Sequence, residues 1–335
     1  MKHYAGLDLS METTQVCIVD ESGRKIASMK VESAPAMIAQ ALREGGGVER
    51  AVIETGRMSP AICHGLRALG IPVVCIDARQ AHQSLKALKA NKTDPHDAAG
   101  LAQLARTGFY KEVHVKSPAA HGVRSVITTR NHLVESRMRL DNMIRGLCAT
   151  FGFKPGPGQG KAFIDRVMEA ANIPGLGQSI TALLAVRTGL MKQIREMDLV
   201  LREFALRSQS CRQLMSIPGV GVQTSAAFAA AIDEVGRFRQ SRTAGPYFGL
   251  VPRRHQSGEI DWTGRITKQG DSMVRKLLYE AANSILTRSR GSFALKAWAL
   301  KVAKRRGLRK ARVALARRLA VIMHAMLRDG TLFEA

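Results

Sequence analysis

The sequence predicts an α/β plus α chain: a mixed-sheet domain followed by a mostly helical second half. Three observations carry this. Three strand-like segments occupy the first 33 residues and are followed by alternating helix and strand; helical periodicity runs on at length from Ser117; and the last segment is helical and strongly basic. With 335 residues the prior is two domains and perhaps a bridging element. A chain this long buries roughly 75% of its unfolded surface, so it needs no disulfide or metal to hold a core.

Residues 3–10 (HYAGLDLS) and 13–20 (TTQVCIVD) read as two strands joined by a tight turn, and residues 25–33 as a third. A helix is expected from about Pro35 to Arg43, stopped by Gly45-Gly46-Gly47. Ala51-Val52-Ile53 forms the next strand, ending at Glu54-Thr55-Gly56. Ser59 as cap and Pro60 at the first helical position start a helix that runs to Gly70, and residues 72–76 (PVVCI) make another buried strand. This order is the one expected of the ribonuclease H type of fold.

From Ser117 to Thr150 the pattern becomes helical, with Val123, Val126, Ile127, Leu133 and Met138 spaced for one face. The Gly/Pro stretch Lys154 to Gly160 breaks it, and a second helical region spans about Ser179 to Arg207. Two long helices of low aromatic content suggest an antiparallel hairpin or coiled-coil arm that supports dimerisation. The expected organisation is therefore 1–112 for the sheet domain, 113–210 for the arm and 211–335 for a mostly helical last domain. Ile173-Pro174-Gly175-Leu176-Gly177 and Ile217-Pro218-Gly219-Val220-Gly221 are a short internal echo, too brief for a repeat architecture.

Lys and Arg number 51 against 27 Asp and Glu, a formal charge of +24. That excess exceeds what solubility needs and points to a polyanionic partner. The longest apolar runs are too short for a membrane span, and Asp8 interrupts the apolar opening, so no signal peptide is expected. Five scattered cysteines without a CxxC pair encode neither a disulfide framework nor a zinc site. Secreted, membrane and zinc-finger classes are thereby excluded, and a cytoplasmic nucleic-acid protein is expected.

Four acids suggest a metal site. Asp8 sits mid-strand among apolar neighbours, where a carboxylate is costly to bury without a partner, and Glu54 ends a strand that is otherwise apolar. Asp94 and Asp97 lie three apart at a helix start, on nearly one face. If the first and fourth strands are parallel neighbours, Asp8 and Glu54 come together and the helix after residue 93 brings the other two acids over that edge. Four converging carboxylates repel one another unless divalent cations neutralise them, and hard oxygen ligands select Mg²⁺ or Mn²⁺. Two such ions about 3.5–4 Å apart hold a scissile phosphate and stabilise its oxygens. A plainer reading also fits: Asp94 as N-cap, Pro95 at the first helical position and Asp97 facing the helix dipole, with Asp8 and Glu54 structural. The opening also resembles the first phosphate loop of actin-like ATPases, but no second glycine-rich phosphate loop follows a later strand, and residues 156–161 (GPGQGK) do not make a P-loop.

The stretch Tyr247 to Asp261 (YFGLVPRRHQSGEID) is read as a loop because of Pro252 and Gly258, with Arg253, Arg254 and His255 crowding Ser257. A serine hydroxyl is a poor nucleophile unless a base takes its proton or cations stabilise the developing charge. Arginine forks suit phosphate oxygens, so Arg253 and Arg254 are candidate backbone contacts and Ser257 either a nucleophile or one more such contact. Gly219 and Gly221 precede a helical stretch in a pattern resembling a helix-hairpin-helix, in which backbone N–H groups approach phosphates. Lys304, Arg305, Arg306, Arg309 and Lys310 alternate with apolar residues as an amphipathic cationic helix suited to phosphate tracking. Residues 301–335 hold ten Lys or Arg against two acids.

Together AGLDLS, VIETG, NKTDPHDAAGLA, SIPGVGVQTS, YFGLVPRRHQSG and KQGDSMVRKLLYEAA span nearly the whole chain. They resemble the DEDD transposases of the insertion-sequence 110 family, bridge-RNA-guided serine recombinases. The resemblance implies a RuvC-like domain whose four acids fall on Asp8, Glu54, Asp94 and Asp97, and a transposase domain whose catalytic serine falls on Ser257. It further implies an element-encoded noncoding RNA that pairs with donor and target DNA. The implied reaction is strand exchange through a covalent phosphoserine at Ser257, in a bacterial cell. The implied assembly is a dimer of dimers, with acids and serine of one active site drawn from different subunits. One local feature departs from this: Glu259-Ile260-Asp261 is more acidic than a phosphate-contacting segment calls for. The rival readings are a metal-dependent, junction-resolvase-like endonuclease in which Ser257 only binds, and a non-catalytic nucleic-acid-binding protein.

Overall fold

The computed structural model describes residues 1–79 and 94–334. The chain divides into two units, Met1–Lys116 and Ser117–Ala335.

In the first unit, β1 (Tyr4–Leu9), β2 (Thr13–Val19) and β3 (Lys25–Glu32) form an antiparallel meander. β4 (Arg50–Glu54) pairs in parallel with β1, and β5 (Val73–Ile76) in parallel with β4, so the order is β3-β2-β1-β4-β5. The mixed sheet and the parallel pairing of first and fourth strands match the expectation. Helices α1 (Pro35–Glu44) and α2 (Ser59–Ala68) pack their apolar stripes on one face, where Leu7, Ile18, Ile53, Ile38, Leu42, Ile62 and Leu66 are buried together. The start of α2 differs in detail from the sequence reading. Ser59 is already helical, and its hydroxyl donates to the Gly56 carbonyl (2.9 Å) and accepts from the Gly56 N–H (3.0 Å), tying down the preceding turn instead of capping the helix.

The other face is covered by α3 (Asp94–Thr107), whose Ala98, Leu101, Ala102 and Ala105 are buried on the sheet beside Cys17, Val19 and Val52. Gly6 sets how close this helix comes. A Cβ built on Gly6 meets the Ala98 carbonyl oxygen at 2.1 Å and the Ala102 nitrogen at 2.3 Å, so any side chain there lifts the helix off the strand.

The second unit opens with α4 (Pro118–Thr150), capped by Ser117, whose hydroxyl accepts from the Ala120 N–H and donates to Asp233 (2.6 Å). α4 packs along α6 (Gly177–Arg207). Arg130 pairs with Asp198 (2.5 Å) and Arg187 with Asp141 (2.7 Å); one number rises as the other falls, so the two helices run antiparallel. Between them lies a helix the sequence reading did not foresee, α5 (Lys161–Ala170). Its Phe163, Val167 and Ala170 pack with Ile144, Cys148, Ile180 and Leu184 near the α4–α6 turn-around. At the opposite end Val123, Ile127, Leu201 and Ala205 belong to the same apolar core as the helices after residue 208.

Those elements are α7 (Gln209–Met215), α8 (Val222–Ile232), α9 (Ala244–Tyr247), strands β6 (Pro252–Ser257) and β7 (Ile260–Ile266), then α10 (Ser272–Thr287), α11 (Ala294–Arg306) and α12 (Leu308–Asp329). Two expectations are corrected here. Tyr247 to Asp261 is not one loop, because β6 and β7 pair as a hairpin closed by Gly258-Glu259. Gly258 has φ +56°, the left-handed backbone that glycine accepts without strain, and it supplies the turn. The basic tail is not one continuous cationic helix either. Gly307, at φ +83°, ends α11 and begins α12. Among the described residues no helix is long and apolar enough to cross a membrane.

Candidate functional site

Alternation along β1 places Gly6 and Asp8 on one face, the face under α3. Because α3 rests on Gly6 through Ala98, the residue just before it, Asp97, arrives beside Asp8. The two carboxylates line one cavity of about 190 Å³ with Ser10, Thr13, Gln15 and Lys30. On β4, Val52 is opposite Gly6 and packs against Leu101, so Glu54, two residues on, belongs to the same face at the end of that strand. Asp8, Glu54 and Asp97 are all half-buried. The Asp94 side chain lies outside the described residues, although the helix begins at Asp94 as expected. Among the described residues no three His, Cys, Asp or Glu side chains form a closed ligand set. What the cavity offers is two carboxylates with hydroxyl and amide oxygens, a hard-oxygen set that fits a divalent cation of the Mg²⁺ or Mn²⁺ type.

Sequence reading missed Ser10, Thr13, Gln15 and Lys30 of this cavity, and Lys30 is the charged one among them. Its signal was the strand register: Asp8 pairs with Gln15 across β1 and β2, and Gln15 with Lys30 across β2 and β3, so the three stand in one row. An ammonium in that row offsets part of the negative charge of the carboxylates.

Ser257 is the last residue of β6, at the exposed tip of the hairpin. His255, two residues earlier, shares its face and stacks on Trp262 of β7, with ring centroids 6.0 Å apart and planes 12° off parallel. Arg254 belongs to the opposite face and forms two hydrogen bonds to Asp261, at 2.9 and 2.6 Å. That pairing holds the Asp261 carboxyl below its usual range and the Arg254 guanidinium above its own. The cations expected around Ser257 are thus split by strand alternation, a pattern hidden as long as the segment is read as a loop. Arg253 donates to the Thr267 carbonyl (3.4 Å) at the hairpin base, beside the irregular Pro252 pairing.

Gly219 and Gly221 lie in the turn between α7 and α8. Gly219 has φ +89°, and a Cβ there meets Ile285 of α10 at 2.9 Å, so packing by itself demands glycine at that position. A Cβ on Gly221 meets nothing within 4 Å. Lys304, Arg305 and Arg306 occupy the last turn of α11, where cations are favourable to the helix dipole. Arg309 and Lys310 sit instead in the first turn of α12, where they oppose it, with no acid in that turn to compensate. Helix stability does not explain these two.

Two family models match, one over the sheet domain and the first long helix and one over the last helical region. Residues 5–151 match the DEDD transposase domain of the IS110 type, described as "Transposase", and residues 211–297 match the "Transposase IS116/IS110/IS902 family". The chain is 29% identical over 329 residues to the "Transposase for insertion sequence element IS1111A" of Coxiella burnetii, covering 96% of this chain and 88% of that protein. It is 30% identical over 254 residues to a "Probable family 20 transposase" of Pseudomonas aeruginosa, covering 74% of this chain and 75% of that protein. A "Transposase for insertion sequence element IS1328" of Yersinia enterocolitica is 27% identical over 252 residues, 74% of this chain and 75% of that one. The mixed sheet is consistent with the DEDD transposase domain of the first match. With two family models matched and likeness along most of the length of these relatives, the chain belongs to the IS116/IS110/IS902 family of transposases and is an enzyme that acts on DNA.

Proposed function

We propose that this transposase exchanges DNA strands through a covalent phosphoserine at Ser257, in partnership with a divalent-metal site held by Asp8, Glu54, Asp94 and Asp97. The observation that carries the reading is the seating of α3 on Gly6, which sets Asp97 beside Asp8 at the edge where Glu54 also ends its strand. A DEDD transposase domain uses divalent metal. Bound there, Mg²⁺ or Mn²⁺ supplies Lewis-acid stabilisation of a phosphate oxygen. The four acids hold and orient that charge, and Lys30 trims the negative potential around them. Ser257 Oγ attacks the phosphorus, giving up its proton, while the sugar oxygen leaves and takes one up. One phosphate ester is exchanged for another, so religation needs no outside energy source. Exposure of Ser257 at a hairpin tip suits attack on a strand held by other parts of the assembly.

In this reading target choice is delegated to an element-encoded noncoding RNA that pairs with donor and target DNA, and the excess of 51 cationic over 27 anionic side chains serves both polyanions. The chain acts as a homodimer that assembles into a tetramer, with residues 113–210 as the supporting arm and 211–335 supplying the serine. Arg253, Gly219, Gly221 and the basic residues Lys304 to Lys310 hold the backbone, with Arg254 as their paired reserve.

The test incubates the protein with RNA transcribed from the flanking element and with donor and target plasmids. Strand exchange and a protein–DNA adduct stable on a denaturing gel are expected, both lost in Ser257→Ala. Hydrolysed ends without an adduct decide for the endonuclease reading, and recombination by the alanine variant overturns the assignment of Ser257 as nucleophile.

A further inference from the structure

The second unit carries a groove lined by neither Ser257 nor any of the four acids. Its volume is about 850 Å³, toward the upper end of the roughly 300–1,000 Å³ of ligand pockets. Its floor is apolar: Leu250, Ile266, Trp298, Val313 and Val321. Around it stand Arg265, Lys268, Arg309, Lys310, Arg317 and Arg318, all exposed, and no acid is among the described lining residues. The Arg318 guanidinium lies over the Trp298 ring, 4.5 Å from its centroid.

Six like charges around one apolar hollow repel each other, and a polyanion is what relieves them. A second copy of a chain with net charge +24 does not. Duplex DNA answers the rim but not the floor, because its bases are stacked away inside. Unpaired nucleotides answer both: flat base faces for Trp298 and the Arg318 plane, phosphates for the rim. The groove also begins on the hairpin that ends in Ser257, since Pro252 and Ile266, which pair at its base, line it. A six-residue strand spans about 17–20 Å, so groove and serine tip are separated by only a few nucleotides of extended strand. We infer that this groove takes unpaired bases of the DNA strand that Ser257 engages, an assignment of the strand that rests on the proposed role of Ser257.

Trp262 and Trp298 are the two tryptophans of the chain, so Trp262→Phe leaves Trp298 as the sole tryptophan. Titrated into that full-length variant under selective tryptophan excitation, a dodecamer of deoxythymidine quenches the emission saturably, and matching duplex or oligouridine at the same concentrations quenches it far less. Trp298→Ala weakens deoxythymidine binding about tenfold or more at fixed salt and leaves the salt slope unchanged. Arg309→Ala with Lys310→Ala lowers that slope by about 1.4. Because Trp298 also packs against the core, the quenching measurement decides the matter even if Trp298→Ala fails to fold. Unchanged emission at saturating deoxythymidine, or quenching by duplex or oligouridine equal to it, overturns the inference. So does self-association that buries Trp298 in sedimentation without DNA. Quenching without any Ser257 adduct in the exchange assay overturns the serine reading and with it the assignment of the groove's strand as the one Ser257 engages; an adduct without quenching overturns the groove alone.

Discussion

Arg254 and Asp261 face each other diagonally across the hairpin that ends in Ser257, joined by two hydrogen bonds of 2.9 and 2.6 Å on the face turned away from the serine. The acidity that looked misplaced beside a phosphate-binding segment is thus already matched by a cation. Asp261 competes with any phosphate for the Arg254 fork. Asp261→Asn removes the competitor, so non-specific DNA binding is expected to tighten two- to fivefold at low salt, with the salt slope steeper by about 0.9 for one added phosphate contact. Fluorescence anisotropy with a short duplex at several salt concentrations checks it; equal slopes mean that Arg254 never reaches a phosphate.

Asp271 begins α10 and serves twice. It accepts from the N–H groups of Met273 (2.9 Å) and Val274 (3.1 Å), and it pairs with Arg124 of α4. Burial pushes its carboxyl up, but the Arg124 guanidinium and the two N–H donors outweigh burial and hold it below the usual carboxylate range. A carboxyl depressed in the folded state gives stability that is complete above the unfolded value near 3.9 and is lost as pH falls through the lower, folded one. Asp271→Asn keeps an amide that still caps and loses the charge, whereas Asp271→Ala loses both. Expected losses near pH 7 are about 1 kcal/mol for Asn and about 2 kcal/mol for Ala. The Asn deficit is expected to shrink below about pH 4. Urea unfolding at pH 7 and pH 3.5 measures both.

Where sequence pattern and local geometry coincide, the fold could be read directly. Apolar runs marked β1, β2, β4 and β5, which helices cover on both faces, and the helical period marked α4 and α6, which each bury one face. Asp8 and Asp97 could be brought together in advance, since Asp8 interrupts a strand that is otherwise apolar and Asp97 lies at the start of the helix over it. What escaped was decided across strands or by close contact. Lys30 enters the acid cavity through register with Gln15 and Asp8, and Gly6 looks like an ordinary strand glycine until α3 lies on it. The serine hairpin was hidden by its charged composition: β6 is exposed along its whole length, so it has no apolar face to show a two-residue period. Helix α5 was masked by the Gly/Pro stretch in front of it.

The Asp8–Asp97 cavity makes a prediction that needs no DNA. A divalent cation bound by the folded chain stabilises it in proportion to its occupancy. Millimolar Mn²⁺ is expected to raise the melting temperature of the wild type by a few degrees, and Asp97→Asn should abolish that rise. Lys30→Gln should enlarge it, since one repelling charge leaves the cavity. A rise retained in full by Asp97→Asn places the cation elsewhere and returns Asp97 to the role of a helix-start acid.

The arm holds the most deeply buried charge among the described ion pairs. Asp141 is 1% exposed and accepts from Arg187 across the helix pair (2.7 Å) and from Arg137 one turn earlier (3.2 Å). Arg187 also donates to the Gln159 carbonyl (2.6 Å), and Arg137 to the Gln159 side chain (2.5 Å), so one carboxylate organises both helices and the connection between them. Removing the carboxylate strands two guanidinium groups in a dry interface, and breaking one partner of such a pair costs about 3–5 kcal/mol. Replacing both partners by apolar residues of similar size avoids that desolvation cost. Asp141→Leu is therefore expected to destabilise the arm by about 3 kcal/mol or more, and Asp141→Leu with Arg187→Met to recover most of it. Hydrogen exchange of amides in 140–150 and 180–190 localises the effect: fast exchange in the single variant and protection restored in the double. Were both variants equally unprotected, the pair would be setting the register of the two helices, and hydrophobic replacement would have no means of repairing it.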